Sequence, residues 1–346
     1  MRGLTLDGVG VITCRTDLTE PTIDLSTDAV VAVEAAGLCG SDLHPYEGRE
    51  RVRFGVVAGH EVVGRVVAVG RDVTQIGVGD RVLVPFTTNC GECERCRSGL
   101  SARCESGRLF GFGDPDRPTV EALPGGQAER VRVPLAGSTL VRVPDLISDE
   151  QAVLLADNFP TGWYAAERAG IVSGHPAAVV GLGSVGLCAA VAAISMGATP
   201  VLGVDPLPDR RRLAGLLGAK PVSPDEVTPD HSFGSVIEAA GTPAAQKLAA
   251  RLVRAGGTLS IISVPTADRL AVTPIEAYDL NLTIRTGRAP VRSILERLMD
   301  RVMAGELTVP GDLLLTHPQV ALEQGAEMYR RFAAREPGVL KAAFRP

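Results

Sequence analysis

The stretch VVGLGSVGL, from Val179 to Leu187, places three glycines in the spacing G-x-G-x-x-G. It lies in the segment 176–204, which contains no charged residue and is long enough to suggest a membrane-spanning helix. Glycines and prolines interrupt this segment, however, and divide it into strand, turn, helix, turn and strand. The stretch therefore predicts the turn between a buried strand and the helix of a parallel βαβ unit.

The glycine spacing is typical of a turn that binds the phosphates of a dinucleotide. Gly181 permits the tight turn, Gly183 lets the backbone approach a pyrophosphate, and Gly186 lets the helix pack closely on the strand. Ser184 and Val185 open the helix, whose free N–H groups would face the phosphates. The alternative is a plain strand-to-helix turn with no ligand.

An acidic residue ends the next predicted strand, VLGVD, nineteen residues after the last glycine. Asp205 can accept a hydrogen bond from the 2′-hydroxyl of an adenosine ribose and would repel a 2′-phosphate. This favours NAD over NADP as the cofactor. Arg210, followed by Arg211 and Arg212, keeps NADP open because an arginine can bind a 2′-phosphate.

Strand-like and helix-like segments alternate on both sides of this turn. A capped helix is predicted from Ser148 (SDEQAVLLA), and the alternation continues to the strand-like GTLSIISVP, which ends at Pro265. It predicts an α/β domain with a parallel sheet covered by helices on both faces. Before about residue 145, short valine-rich segments closed by glycines predict a strand-rich domain. A length of 346 residues with 45% hydrophobic content fits about two domains.

Composition excludes some classes of partner. The net charge of -5 argues against nucleic acid or an anionic membrane, both of which attract a surplus of basic residues. The N-terminal segment has no continuous apolar region of a secretion signal, so a cytoplasmic protein is expected. Lysines occur only at Lys220, Lys247 and Lys341, which we attribute to coding bias rather than to function.

Four of the seven cysteines have the spacing C-x2-C-x2-C-x7-C within a lobe of about residues 88–106. The two-residue gaps let one turn point successive sulfurs at a single ion, and the longer loop can return the fourth sulfur. Zinc is predicted, because the rival iron–sulfur pattern continues with x3-C-P. Four sulfur ligands leave no position for a substrate, so the site is expected to be structural. Its ligands are Cys90, Cys93, Cys96 and Cys104.

Further residues of the types that bind metals lie in the segments GLCGSDLH and GHE, which contain Cys39, Ser41, Asp42, His44, His60 and Glu61. Together with the cysteine lobe and the glycine turn, in this order, they make the sequence resemble the zinc-dependent medium-chain dehydrogenases, the alcohol dehydrogenase family. The resemblance covers essentially the whole chain. It implies a GroES-like catalytic domain over residues 1–158, a Rossmann domain over residues 159–290, and a return of residues 291–346 to the catalytic domain.

The resemblance also implies a catalytic zinc. Cys39 and His60 would be its first two ligands, and Asp157, in the segment LLADNFPTGW, stands where the animal liver type has a second cysteine. The alternative for Asp157 is a capping residue at the domain junction. Glu61 would lie beside the metal and exchange with water as a ligand.

Other roles follow from the same resemblance. Asp42 would orient His60 through its second ring nitrogen, Ser41 and His44 would relay a proton, and Thr161 would pack on the nicotinamide. The cofactor contacts expected in total are Thr161, Gly181, Gly183, Ser184, Val185, Gly186, Asp205, Arg210 and Val264.

These features predict a zinc- and NAD-dependent alcohol dehydrogenase that holds two zinc ions per chain and transfers a hydride reversibly. A secondary alcohol, a polyol, a sugar-derived alcohol and a small aldehyde all stay open as substrates, and the resemblance implies a homodimer or homotetramer. The alternatives are a zinc-free NADPH-dependent reductase of activated double bonds and a non-enzymatic zinc protein. The expected pocket residues are Phe54, Phe110, Phe112, Phe159 and Trp163.

Overall fold

The computed structural model describes residues 1–111, 123–228, 230–265 and 269–346, so Phe112 lies outside the described residues. The chain divides into two compact units, of which the first comprises Met1–Asp157 with Pro290–Pro346 and the second comprises Asn158–Ala289. The strands of the described ranges are β1 (Gly3–Gly8), β2 (Val11–Arg15), β3 (Ala29–Leu38), β4 (Val56–Val57), β5 (Val62–Val69), β6 (Arg81–Val84), β7 (Arg130–Val133), β8 (Val141–Arg142), β9 (Ala177–Val180), β10 (Val201–Val204), β11 (Lys220–Val222), β12 (Phe233–Glu238), β13 (Val253–Ile261), β14 (Thr283–Thr286), β15 (His317–Ala321) and β16 (Ala342–Arg345).

The α-helices range from single turns of four residues to a helix of thirteen residues. They are α1 (Leu43–Tyr46), α2 (Glu94–Arg97), α3 (Ala136–Thr139), α4 (Asp149–Ala156), α5 (Asn158–Ala169), α6 (Ser184–Ser195), α7 (Pro208–Leu216), α8 (Pro243–Leu252), α9 (Pro274–Asp279), α10 (Val291–Met303), α11 (Gly311–Leu314) and α12 (Gly325–Ala333). Single 3-10 turns occur at Gly40–Asp42, Ser101–Arg103, Pro224–Glu226 and Leu322–Gln324. A helix able to cross a bilayer, which needs about twenty apolar residues, is absent from the described ranges.

The first unit is built on a sheet with the strand order β15-β16-β3-β5-β6-β8, in which β7 also pairs with β3. Most of these pairs are antiparallel, and only β15 and β16 run parallel. Valines on one face of β3, β5 and β6 pack together in a buried core, as expected for β-branched side chains on a pleated surface. Because Ala36 of β3 lies opposite Val62 of the antiparallel β5, the loop that follows β3 lies beside the loop that precedes β5.

The second unit is a six-stranded parallel sheet with the order β11-β10-β9-β12-β13-β14. This is the order of a doubly wound Rossmann fold, in which the direction of winding reverses between the first strand and the fourth. Here the reversal lies between β9 and β12, and VVGLGSVGL leaves the carboxyl end of β9. The uncharged segment 176–204 folds as β9, α6 and β10, as predicted.

Most predicted element positions are confirmed, but one boundary differs. The segment PAAQKLAARLVRAG, read as sequence alone, predicts a helix from Pro243 through VRAG. In the structure this helix ends at Leu252, and β13 already starts at Val253. Val253 pairs with Phe233 of β12, so tertiary strand pairing overrides the helical pattern. Gly256 has a φ of +70°, which a right-handed helix does not accommodate.

The capped start of α4 is confirmed in detail. The hydroxyl oxygen of Ser148 accepts the N–H of Gln151 at 3.2 Å, and the Gln151 side chain accepts the N–H of Ser148 at 3.1 Å. This reciprocal pair satisfies two N–H groups that the helix itself leaves unbonded. It fixes the start of the helix whose last turn leads into Asp157.

Candidate active site and metal centres

Four side chains of the first unit converge where β3 ends and β5 begins. The ligand atoms of Cys39, His60, Glu61 and Asp157 all lie within 4.8 Å of one another, and all four residues are buried. Cys39 follows β3, His60 and Glu61 precede β5, and Asp157 follows α4. The antiparallel pairing of β3 with β5 therefore brings Cys39 beside His60 and Glu61, which lie about twenty residues further along the chain.

One carboxylate organises two of these side chains. Asp42 Oδ2 accepts the backbone N–H of Cys39 at 2.9 Å, and Asp42 Oδ1 lies 3.0 Å from His60 Nδ1. His60 Nε2 thereby faces Asp157, whose Oδ2 lies 3.7 Å from Nε2 and 3.6 Å from Cys39 Sγ. A carboxylate behind the imidazole fixes both the tautomer and the ring orientation of a metal-ligating histidine.

The electrostatics of this cluster fit a divalent cation. Burial, together with the charge of Glu61, raises the pKa of Cys39. Burial alone would lower the pKa of His60, but Asp42 and Asp157 raise it well above its ordinary value. The cluster thus packs one thiol and three buried carboxyl groups around the His60 imidazole and the ammonium of one lysine; the carboxyl groups are those of Asp42, Glu61 and Asp157. This arrangement is costly unless further positive charge is supplied. Thiolate, imidazole and carboxylate are the donors that zinc prefers.

The ammonium belongs to Lys341, which immediately precedes β16 and is fully buried. It donates to Glu61 Oε2 at 2.5 Å and to the carbonyl of Leu38 at 3.2 Å. Burial alone would lower the pKa of Lys341, but the charges of Glu61, Cys39 and Asp157 raise it, so the amine stays protonated. Lys341 was assigned no role in the site from the sequence. The signal that could have found it is a rare lysine inside the apolar run VLKAAF.

The two residues expected to relay a proton lie on neighbouring short helical turns. Ser41 belongs to the 3-10 turn Gly40–Asp42, and its Oγ lies 3.1 Å from His60 Nε2. His44 lies on α1, where burial and the charge of Arg49 lower its pKa. Ser41 is therefore placed at the nitrogen that faces the metal-ligand cluster, and His44 is one turn further along the chain.

The cysteine lobe forms the second cluster. The sulfurs of Cys90, Cys93, Cys96 and Cys104 lie within 4.8 Å of one another. Cys90 Sγ and Cys104 Sγ are 3.5 Å apart, close to the ~3.8 Å edge of a tetrahedron with Zn–S bonds of about 2.3 Å. Hydrogen bonds from the backbone of Glu105 and Cys96 lower the pKa of Cys93 to about 6, whereas burial raises the pKa of Cys96 to about 12. Of these two ligands only Cys93 is readily a thiolate before a metal binds.

The glycine turn of the second unit is open where a phosphate would lie. Gly181 has a φ of +93°, and a Cβ added to it would lie 2.8 Å from the N of Ala240. A Cβ on Gly186 would lie 1.8 Å from the carbonyl oxygen of Gly181. A Cβ on Gly183, by contrast, would meet no atom within 4 Å. Two of the glycines are thus required by the fold itself, while Gly183 leaves vacant the space that a pyrophosphate needs, so the turn fits a dinucleotide.

Asp205 is buried at the end of β10. Its two carboxylate oxygens accept the N–H of Leu182 at 2.8 Å and of Leu207 at 2.9 Å. The carboxylate is therefore fixed beside the glycine turn, and Arg210 lies 3.6 Å from it. Arg211 donates to the backbone carbonyls of Asp205 and Pro206.

The remaining expected cofactor residues belong to the same unit. Ser184 and Val185 form the first turn of α6, as predicted from the sequence. Thr161 lies on α5, and Val264 follows β13 with 45% of its side chain exposed.

Comparisons with known proteins agree with this architecture. A model of the alcohol dehydrogenase GroES-like domain matches residues 26–145, and a model described as zinc-binding dehydrogenase matches residues 184–288. A Mycobacterium tuberculosis protein named "probable zinc-binding alcohol dehydrogenase" is 38% identical, over 100% of this chain and 89% of the relative. This chain belongs to the zinc-binding alcohol dehydrogenase family. It is therefore an oxidoreductase.

Solved structures of the family superimpose on the whole chain. Alcohol dehydrogenase TADH from Thermus sp. ATN1 has a TM-score of 0.90 and 32% identity, covering 100% of this chain and 99% of the other. A Sinorhizobium meliloti 1021 structure, described as a zinc-binding dehydrogenase bound to NADP, has a TM-score of 0.82 and 26% identity over 100% and 99% of the two chains. The predicted family, fold class and enzyme class are confirmed.

Within this zinc-binding alcohol dehydrogenase, the expected pocket aromatics lie in different environments. Phe110 is fully buried in the hydrophobic core of the first unit. Phe54 is half-exposed in the same unit. Phe159 and Trp163 are buried side chains of α5, and the indole N–H of Trp163 donates to Glu167 at 2.9 Å.

A second functional candidate absent from the sequence prediction is Glu238. It is buried at the carboxyl end of β12 and accepts the N–H groups of Ala240 and Gly241 at 2.7 and 2.8 Å. It also accepts the hydroxyl of Ser263 at 2.5 Å. Glu238 thus fixes the loop that packs against Gly181. An acid that ends a predicted central strand is the signal that could have found it.

Proposed function

We propose that this member of the family is a zinc- and NAD-dependent alcohol dehydrogenase that interconverts an alcohol and the corresponding carbonyl compound. The observation that carries the proposal is the convergence of Cys39, His60 and Asp157 in a buried cluster whose charge calls for a divalent cation. The same chain carries a glycine turn with room for a pyrophosphate. The substrate is expected to be a secondary alcohol, a polyol, a sugar-derived alcohol or a small aldehyde.

Cys39, His60 and Asp157 would hold the catalytic zinc, and the four cysteines of the lobe would hold the structural one. Zinc would supply Lewis-acid chemistry that lowers the pKa of an alcohol, and NAD would accept the hydride. Asp42 Oδ1, which lies 3.0 Å from His60 Nδ1, would hold the proton on that nitrogen and so leave Nε2 free of a proton for the metal. Ser41 Oγ, which lies beside that nitrogen, would accept the alcohol proton and pass it toward His44.

NAD is favoured over NADP because the buried Asp205 carboxylate is held at the strand end by two backbone N–H groups. A 2′-phosphate placed there would meet a negative charge that cannot turn away. Arg210 offers a positive charge 3.6 Å from the same carboxylate, which partly offsets this preference. A panel of alcohols and polyols, each assayed with NAD and with NADP, tests the preference directly.

The metal assignment is tested by substituting one thiol inside the cluster and one outside it. Cys39→Ala is expected to lose one of two zinc ions per chain and to lower turnover by about a thousand-fold or more, because the Lewis acid supplies several kcal/mol. NADH binding should persist, since the glycine turn is untouched. The matched control, Cys14→Ala, changes a half-buried thiol of β2 and should leave zinc content and turnover unchanged.

Near-wild-type turnover in Cys39→Ala would contradict the proposal. A wild-type protein that holds no zinc and reduces activated double bonds with NADPH would instead support the zinc-free alternative.

A further inference from the structure

Lys341 occupies a position at which strand pairing leaves little freedom. Its successor, Ala342, lies opposite Leu38 in the antiparallel pairing of β16 with β3. The Lys341 ammonium donates to the carbonyl of Leu38, the last residue of β3, and to Glu61 Oε2. All of its surface is buried, as is all of the surface of Glu61.

Glu61 is confined from a second side. A Cβ added to Gly37 would lie 1.9 Å from Glu61 Oε2, so the carboxylate rests directly on the backbone of β3 where a side chain is missing. The position of this carboxylate also explains why residue 37 of a valine- and alanine-rich strand is a glycine. The carboxylate is thus seated between the strand and the ammonium.

Glu61 nevertheless lies close to the cluster of metal-ligand atoms. Its ligand oxygen is within 4.8 Å of those of Cys39, His60 and Asp157. A zinc–carboxylate bond is about 2.0–2.2 Å long, so a short rotation of Glu61 would make it a fourth ligand. Ligation through Oε2 would require the carboxylate to give up the ammonium at 2.5 Å, and ligation through Oε1 would draw the carboxylate away from it.

The charges explain why that partner matters. The thiolate of Cys39 and the carboxylate of Asp157 together neutralise a Zn²⁺ ion, and His60 is neutral when it ligates. Lys341 neutralises Glu61 separately. If Glu61 ligated as well, the centre would carry a net negative charge and would have no vacant position, whereas catalytic zinc sites keep three protein ligands and one open position.

We propose that Lys341 is a positioning residue that holds the Glu61 carboxylate out of the ligand set and so keeps one coordination position open to substrate. The proposal rests on the proposed catalytic metal site. Lys341 acts entirely through Glu61 and does not touch substrate or cofactor.

The experiment replaces the catalytic zinc with Co²⁺, whose visible absorption reports its coordination, and leaves zinc in the cysteine lobe. Lys341→Met removes the ammonium, and Lys341→Gln provides a neutral side chain that can still hydrogen-bond if the methionine variant does not fold. In either variant the cobalt spectrum should change without added ligand. Affinity for added imidazole should fall at least ten-fold, and loss of cobalt to a chelator should slow.

The double variant Glu61→Gln with Lys341→Met separates the carboxylate from the packing of the lysine. It should recover the wild-type spectrum and the wild-type affinity for imidazole, because an amide is a poorer ligand than a carboxylate. Lys341→Arg, which keeps the charge, should resemble the wild type.

Two outcomes would overturn the proposal in distinguishable ways. If Lys341→Met and Lys341→Gln bind imidazole with wild-type affinity and keep the wild-type spectrum, Lys341 does not control Glu61, and the metal assignment stands. If the wild-type protein takes up no metal beyond the cysteine lobe, the proposed function and this inference fail together.

Discussion

The same substitution at two glycines of the phosphate turn is expected to damage different properties: stability at Gly186 and dinucleotide affinity at Gly183. In Gly186→Ala the new methyl group would lie 1.8 Å from the carbonyl oxygen of Gly181 and 2.9 Å from its carbonyl carbon, whereas ordinary contacts begin at 3.4 Å. Helix α6 must therefore move by roughly 1.5 Å relative to β9 in an interior that is close-packed. Overpacking costs about 1–3 kcal/mol, and a clash between backbone atoms belongs at the upper end.

Gly183→Ala is the contrasting variant. Gly183 has a φ of -66°, which any residue adopts, and its methyl group would meet no atom within 4 Å. Gly183 is the N-cap of α6, a position where alanine is less favourable than glycine by about 0.5 kcal/mol. The methyl group would, however, fill the space left for the pyrophosphate. Dinucleotide affinity should fall ten- to a hundred-fold, or about 1.4–2.8 kcal/mol.

Thermal unfolding and NADH fluorescence titration distinguish the two effects. Gly186→Ala should lower the Tm by roughly 6–12 °C, the shift expected for about 3 kcal/mol in a domain of this size. Gly183→Ala should lower the Tm by no more than about 2 °C and should bind NADH weakly. An unchanged Tm in Gly186→Ala, or wild-type NADH affinity in Gly183→Ala, would refute the division of roles between the glycines.

Two further predictions concern the first unit. Cys93→Ser should lose the structural zinc and several kcal/mol of stability, because a metal that binds only the folded chain stabilises the folded state. Zinc analysis together with thermal unfolding checks this prediction. An unchanged Tm would contradict a structural role for this zinc. Burial would raise the pKa of Asp149, but Arg345 and Arg81 hold it below its usual value, so its stabilisation is present above pH 4 and is lost as the pH falls further. Asp149→Asn should therefore lower the free energy of unfolding by about 1–2 kcal/mol at pH 7. In urea titrations this difference from the wild type should shrink below pH 4. A difference independent of pH would contradict the ion-pair interpretation.

The parts of the molecule that could be predicted from sequence are those written in short segments. The glycine turn, the capped start of α4 and the four-cysteine lobe each lie within about fifteen residues, where spacing alone fixes the geometry. The boundary between α8 and β13 could not be predicted, because the pairing of Val253 with a distant strand decides it.

Only part of the candidate metal cluster could be predicted from the sequence. Cys39 and His60 attract attention as rare residue types, but Asp157 resembles any other aspartate, and its role followed from the family resemblance. The ion pair between Lys341 and Glu61 joins residues 280 positions apart, so no local pattern contains it. Composition even pointed away from Lys341, because a shortage of lysines has a simpler explanation in coding bias.

The chain leaves the first unit after Asp157 and re-enters it at Pro290, so the second unit is an insertion of about 130 residues. While that insertion is unfolded, the first unit must close a flexible loop, at an entropic cost on the order of 4 kcal/mol. Folding of the insertion fixes the distance between the loop ends and relieves part of that cost. A dinucleotide that stabilises the insertion should therefore delay unfolding of the other unit as well, by covalent connectivity alone.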